Sequence, residues 1–195
     1  MVDQLRDEDW YGDDLSGRVL DGVTLTRCDL TETTSTTGMS FTDCAFATVK
    51  FNVATHEGAS FSNCTFVDCN FFGATFTECK FVGAKFERCS FDQLTIAGGD
   101  WSFTGLRGAD LHNASIRGAR MREADLTSAN CAGATLRDLD LSGAVLEKAN
   151  FDGCDLRGSD LTALDPWTAS IRQAVVDPVQ ALTIAAALGL DVRES

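Results

Sequence analysis

At every fifth position from Phe41 to Leu161 the chain carries an apolar residue, with His56 the one polar exception. Phe61, Phe66, Phe71, Phe76, Phe81, Phe86 and Phe91 show the rhythm undiluted. A helix repeats its apolar face about every 3.6 residues and a strand every 2, so a period of five belongs to neither. A second row stands two residues earlier and is made of small side chains, such as Cys44, Ala54, Ala59, Cys64, Cys69, Ala74 and Cys79. The other three positions are mostly polar or Gly, with Gly favoured two places after the large residue, as at Gly73, Gly83 and Gly108. The pattern describes a coil in which one large and one small side chain of every five point inward. Five residues cannot bury such a pair alone, so the unit must stack on copies of itself as a solenoid.

The motifs Ala109-Asp110-Leu111, Ala124-Asp125-Leu126, Ala149-Asn150-Phe151 and Cys154-Asp155-Leu156 resemble the pentapeptide-repeat family over at least residues 41–163. That resemblance implies an all-β fold, a right-handed quadrilateral β-helix with four pentapeptides per coil. Its four faces can be named by their central residues: first (Phe41), second (Phe46), third (Phe51) and fourth (His56). Coils stacked about 4.8 Å apart make a rod of about 30 Å, or about 40 Å with the N-terminal part. Trp10, Leu15, Leu20, Leu25 and Leu30 keep the period one residue out of phase, and residues 31–40 lack a large residue at the expected place. A bulge or small loop is expected there. The β-helix is assigned to 1–163 and a C-terminal α-helical cap to 164–195.

The cap has its own signals. Asp177 suits a helix N-cap, Pro178 the first turn and Gly189 the stop. The helix between them is apolar almost all round. Ile184 and Leu188 are expected to cover the last coil, which leaves Val179, Leu182 and Ala186 exposed on a monomer. An apolar face of that kind is normally buried, and a homodimer through the C-terminal helix buries it.

A net charge of −13 argues against direct nucleic-acid binding, because phosphates are read by Lys and Arg. The acidic start has no apolar signal-peptide core, and no run of about 18 apolar residues could span a membrane. A cytoplasmic protein is expected. The tail, Asp165-Pro166-Trp167 followed by an Ala-rich helix ending Leu188-Gly189-Leu190, is similar to the fluoroquinolone-resistance branch of the family. That similarity implies a dimeric acidic rod that imitates B-DNA and binds DNA gyrase, a type II topoisomerase. The implied result is inhibition of the enzyme, protection from fluoroquinolones or a related toxin, or both. The alternative is an interaction scaffold with another partner. On the third face Asp92, Asp110 and Asp152 stand with a single Lys50, and they are the candidate gyrase-facing acids. On the fourth face Arg117, Arg137 and Arg157 are twenty apart and should form a cationic ladder, which Asp138 and Asp155 are placed to neutralise. The same face carries a hydroxyl row, Thr55, Thr75, Thr95, Ser115 and Thr135, which by itself is thin support for an ice-binding surface.

Seven cysteines (Cys28, Cys44, Cys64, Cys69, Cys79, Cys89, Cys154) take the small inward row and Cys131 a central place. Core packing is their expected role, although the stacked pairs Cys44/Cys64 and Cys69/Cys89 do not exclude a bridge geometrically. His56 and His112 are the only histidines, too few for a His-based metal or catalytic cluster. No nucleophile–base–orienter set is visible. The expectation is a non-enzyme without cofactor or metal, in which His56 marks a local bulge or a satisfied internal hydrogen bond.

Overall fold

The computed structural model describes residues 3–193; residues 1–2 and 194–195, at the outer ends of the two assigned segments, lie outside the described residues. The chain winds as a parallel β-solenoid, every paired strand running in the same direction as its neighbour. Strands are only two or three residues long because the chain turns a corner at each pentapeptide. Ala54 N–H closes one such corner on Phe51 O at 3.1 Å. The residue two places after the central one turns left-handed, as at Gly73 (φ 65°). Gly adopts that conformation without strain, which is why the sequence favours it there.

Register builds the columns. On the first face Leu20, Phe41 and Phe61 align; on the second, Leu5, Leu25, Phe46, Phe66 and Phe86. The fourth face is the broadest sheet, with Ser35, His56, Phe76, Ile96, Ile116 and Leu136 in line. The third face is held by single bridges such as Asp29↔Lys50, Lys50↔Asn70 and Asp110↔Asn130. Inside, the phenylalanines stack rung on rung. Ring centroids are 4.6 Å apart for Phe46–Phe66, 4.9 Å for Phe51–Phe71 and 4.6 Å for Phe61–Phe81, and Trp101 ends the aromatic stack of the first column 3.9 Å from Phe81. Each buried ring contributes roughly 1.5–3 kcal/mol before chain entropy is set against it. The small row is set by space. A Cβ on Gly99 would lie 2.1 Å from Cys79 O, so only Gly fits beneath Trp101.

Residues 31–40 form no projecting loop. Thr34–Ser35 pairs with Thr55 and His56, so the winding continues through this stretch. Leu15 N–H reaches Thr34 O, nineteen residues on, whereas Gly17 N–H reaches Thr37 O, twenty on; one extra residue is absorbed between them. That single insertion is the phase shift seen in the sequence. Ser35 fills the central place, and the room it leaves is taken by the His56 ring, which is fully buried. Thr33 Oγ1 donates to Leu30 O at 2.8 Å, so it accepts from His56 Nε2–H at 3.4 Å, while Ser35 O–H donates to Nδ1 at 2.8 Å. His56 is therefore a satisfied, neutral histidine, and burial pushes its pKa down to about 4.

The winding goes on past residue 163. Bridges Asn150↔Ser170 and Asp155↔Val175 add a further partial coil, packed inside by Leu164, Ala169 and Val176. The helix Pro178–Ala187 follows, with a capping box in which Asp177 accepts from Gln180 N–H and the Gln180 side chain accepts from Asp177 N–H. Ile184 packs against the core as expected. Leu188 does not cover the coil; it is 39% exposed. Gln180 is the residue turned inward, its Nε2 donating to Leu156 O at 2.6 Å and Ser159 O at 2.7 Å. The end of a solenoid exposes carbonyls, and a further coil would supply N–H groups as Asp155 N–H does to Ala134 O. An amide can replace those donors and leucine cannot. Gln180→Ala should loosen the helix by about 1–3 kcal/mol, read as amide exchange that rises across 178–187 but not in the coils around Phe61.

Candidate interaction surface

Asp92, Asp110 and Asp152 flank the central column of the third face, Asp110 on one side and the other two on the opposite side. Asp92 Oδ1 accepts from Asn113 Nδ2 at 2.8 Å. Asp110 Oδ1 is paired with His112 Nδ1 at 2.8 Å and accepts from Asn130 Nδ2 at 2.9 Å. Partial burial pushes the Asp110 carboxyl up, but the hydrogen bonds from His112 and Asn130 outweigh it and hold it below the usual range. Asp152 accepts from Ser170 Oγ at 2.6 Å and Arg172 N–H at 2.8 Å, and the Ser170 bond leads in lowering its pKa. All three lie on one side of the rod, but they do not touch. Asp92 and Asp152 are three rungs, about 14 Å, apart.

Acid on this face falls in two stretches, Asp92, Asp110 and Asp152 in one and Asp9, Asp29 and Glu32 nearer the N-terminus in the other, separated by the rungs of Phe51 and Phe71, which carry none; Asp29 holds Lys50 at 3.0 Å. Arg172 joins the same face, a second cation that the sequence pattern hid because the winding past 163 was not visible in it.

The second face differs. Its charges cancel in place, through Arg27–Asp7 (2.6 Å), Arg88–Asp68 (2.7 Å), Arg107–Asp125 (3.4 Å) and Lys148–Glu147 (3.3 Å). On the fourth face Arg117 and Arg137 are in register and Arg157 stands beside Asp155. Asp155 binds Arg157 at 2.8 Å and lies 4.0 Å from Arg137; the Arg157 hydrogen bond holds its pKa down at about 2. Asp138 makes no ion pair among the described residues, so Asp155 alone among the two expected neutralisers is paired. The hydroxyl row Thr34, Thr55, Thr75, Thr95, Ser115 and Thr135 is in register, but its neighbouring row is mixed: Glu57, Thr77, Ala97, Arg117 and Arg137. An ordered hydroxyl array is one column wide.

On the C-terminal helix Val179 is 73% and Leu182 52% exposed, and Ala186 is exposed on the same stripe. Trp167, 76% exposed, adds an unshielded aromatic at the same end of the rod. Sequence reasoning missed both Trp167 and the inward Gln180. For Gln180 the Asp177-Pro178-Val179-Gln180 capping pattern was the available signal. Among the described residues no group of three His, Cys, Asp or Glu could hold a metal ion, and no helix is long and apolar enough to cross a membrane.

A family model described as a pentapeptide repeat region matches residues 39–144. No curated protein matches the chain. Among solved structures, a trypsin-treated variant of QnrB1, a plasmid-mediated fluoroquinolone resistance protein, is 22% identical with a TM-score of 0.70, covering 99% of this chain and 99% of that one. Full-length QnrB1 is 20% identical with a TM-score of 0.53, covering 96% of this chain and 100% of that one. At these identities the likeness is one of fold.

Proposed function

Because the chain belongs to the pentapeptide-repeat family and its coils present fixed rows of side chains, we propose that it acts as an acidic, DNA-mimicking rod on DNA gyrase. Its effect is to inhibit the enzyme, to protect it from fluoroquinolones or a related toxin, or both. The observation that carries this reading is the sorting of charge by face. The third face keeps Asp9, Asp29, Glu32, Asp92, Asp110 and Asp152 against Lys50 and Arg172, while the second face cancels its own charges. A basic DNA-binding groove would meet the third face, and the rod works by occupying that groove rather than by chemistry. The exposed stripe of Val179, Leu182 and Ala186 supports a homodimer that doubles the length of the rod. That QnrB1, of the same fold, is a fluoroquinolone resistance protein supports the drug-protection part of this reading.

The test is a gyrase supercoiling assay with the purified protein, with and without a fluoroquinolone. Inhibition, or rescue from drug-induced cleavage, is expected. The triple variant Asp92→Asn, Asp110→Asn, Asp152→Asn should need about tenfold more protein at low salt, with the gap closing as salt is raised. No effect of the parent protein on its cognate gyrase would leave an interaction scaffold with a different partner.

A further inference from the structure

Eight cysteines are free, and seven of them are buried; Cys89 alone is partly exposed. Cys69 lies one coil away in the same inward row. The two thiols are placed alike, Cys69 Sγ donating to Phe46 O at 3.4 Å and Cys89 Sγ to Phe66 O at 3.5 Å. The bridge Asn70↔Ser90, one residue further along each coil, fixes the two at adjacent rungs. Their Cα atoms are thus about 4.8 Å apart, inside the span of roughly 4.4–6.8 Å that a disulfide requires.

We infer that Cys89 and Cys69 form a peroxide-reactive dithiol, with Cys89 the attacking and Cys69 the resolving thiol. The Cys89 thiolate attacks a hydroperoxide oxygen; an S–O bond forms, the O–O bond breaks, and the leaving oxygen takes a proton to become water or an alcohol. Cys69 then attacks the sulfenic sulfur. The S–S bond forms, the S–O bond breaks and water leaves, so two thiols lose two electrons and the peroxide gains them. Ionisation runs in the same sense: the neighbouring Cys69 side chain lowers the Cys89 pKa, and Cys69 is itself pushed up by that neighbour and by burial. The Arg88 guanidinium is close enough to feel the Cys89 charge.

The second stacked pair makes the internal comparison. Cys64 lowers the Cys44 pKa to about 7 by hydrogen bonding, yet Cys44 is 2% exposed and Cys64 fully buried. Thiolate character without access does not give reactivity. Exposure therefore selects Cys89 over Cys44.

The full chain would be treated with excess hydrogen peroxide, quenched with N-ethylmaleimide and mapped by peptide mass spectrometry over time. Cys89 should be consumed about tenfold faster than any other thiol and recovered in a Cys69–Cys89 cross-linked peptide. With dimedone present, Cys69→Ser should trap the sulfenic acid on Cys89, and Cys89→Ser should leave the remaining thiols reduced. First oxidation at Cys44 or any other cysteine, or Cys89 oxidation in the parent chain without the cross-link to Cys69, would overturn the assignment. The parent-chain map decides this even if a serine variant folds poorly.

Discussion

Phe61→Ala should cost about 3–5 kcal/mol of unfolding free energy, among the largest effects of any single substitution in the rod. Phe61 is fully buried and sits between Phe41 at 5.3 Å and Phe81 at 4.6 Å in its own column. The rings of Phe46, Phe51, Phe66 and Phe76 lie 6.0–6.2 Å away. Truncation removes the packing of six ring carbons against both neighbouring rungs, and the ladder hydrogen bonds prevent the coils from closing the gap. Because each coil touches only its neighbours, the defect also weakens the coupling between the two halves of the rod. Urea unfolding should show a lower midpoint and a broader transition. Phe61→Leu should cost much less, since Leu20, Leu141 and Leu161 fill the same column elsewhere. Equal losses for the two substitutions would mean that ring stacking, rather than filled volume, holds the rod.

The second large effect is a pH dependence. Folded, His56 protonates only near pH 4; unfolded, it protonates near its ordinary value of 6.5. Between these values the unfolded chain binds a proton that the folded chain excludes. The stability that His56 contributes is therefore complete above pH 6.5 and is lost as pH falls, by about 3 kcal/mol at pH 4. The cause is physical and local. An imidazolium would have to donate from both nitrogens, to Thr33 and Ser35, inside a ring of phenylalanines with no counter-ion. Acidic side chains titrate at the low end of this range too, so the informative quantity is a difference. Urea midpoints of the parent and His56→Phe, measured from pH 7.5 to pH 4, should diverge as pH falls, with the parent losing more. Parallel curves would mean that His56 stays accessible to protons in the folded chain.

The solenoid was legible because its signal is periodic and local. The central row from Phe41 to Leu161 places each side chain by its own position in a five-residue unit, and neighbouring units only repeat the instruction. The slip between Leu30 and Phe41 was legible as a phase shift, but its form was not. A one-residue insertion reads like a loop until Ser35 and His56 are seen to fill one space together. Counting in twenties names the row in which each candidate acid stands. Of their partners, His112 lies two residues from Asp110 and Asn130 one rung on in the same row, but Asn113 and Ser170 come from another coil and another row, and nothing in the spacing names those two.

Sequence alone determined the coil, its inward rows and the capping helix, because each follows from the size and polarity of residues at fixed intervals; the four faces came from the resemblance to the pentapeptide-repeat family. Tertiary structure decided the rest: which ions are cancelled by a neighbour one rung away, why a glutamine rather than a leucine seals the last coil, and which thiol meets solvent. Those outcomes depend on contacts between residues about twenty positions apart, where a rung of about 4.8 Å brings together groups that no local pattern relates.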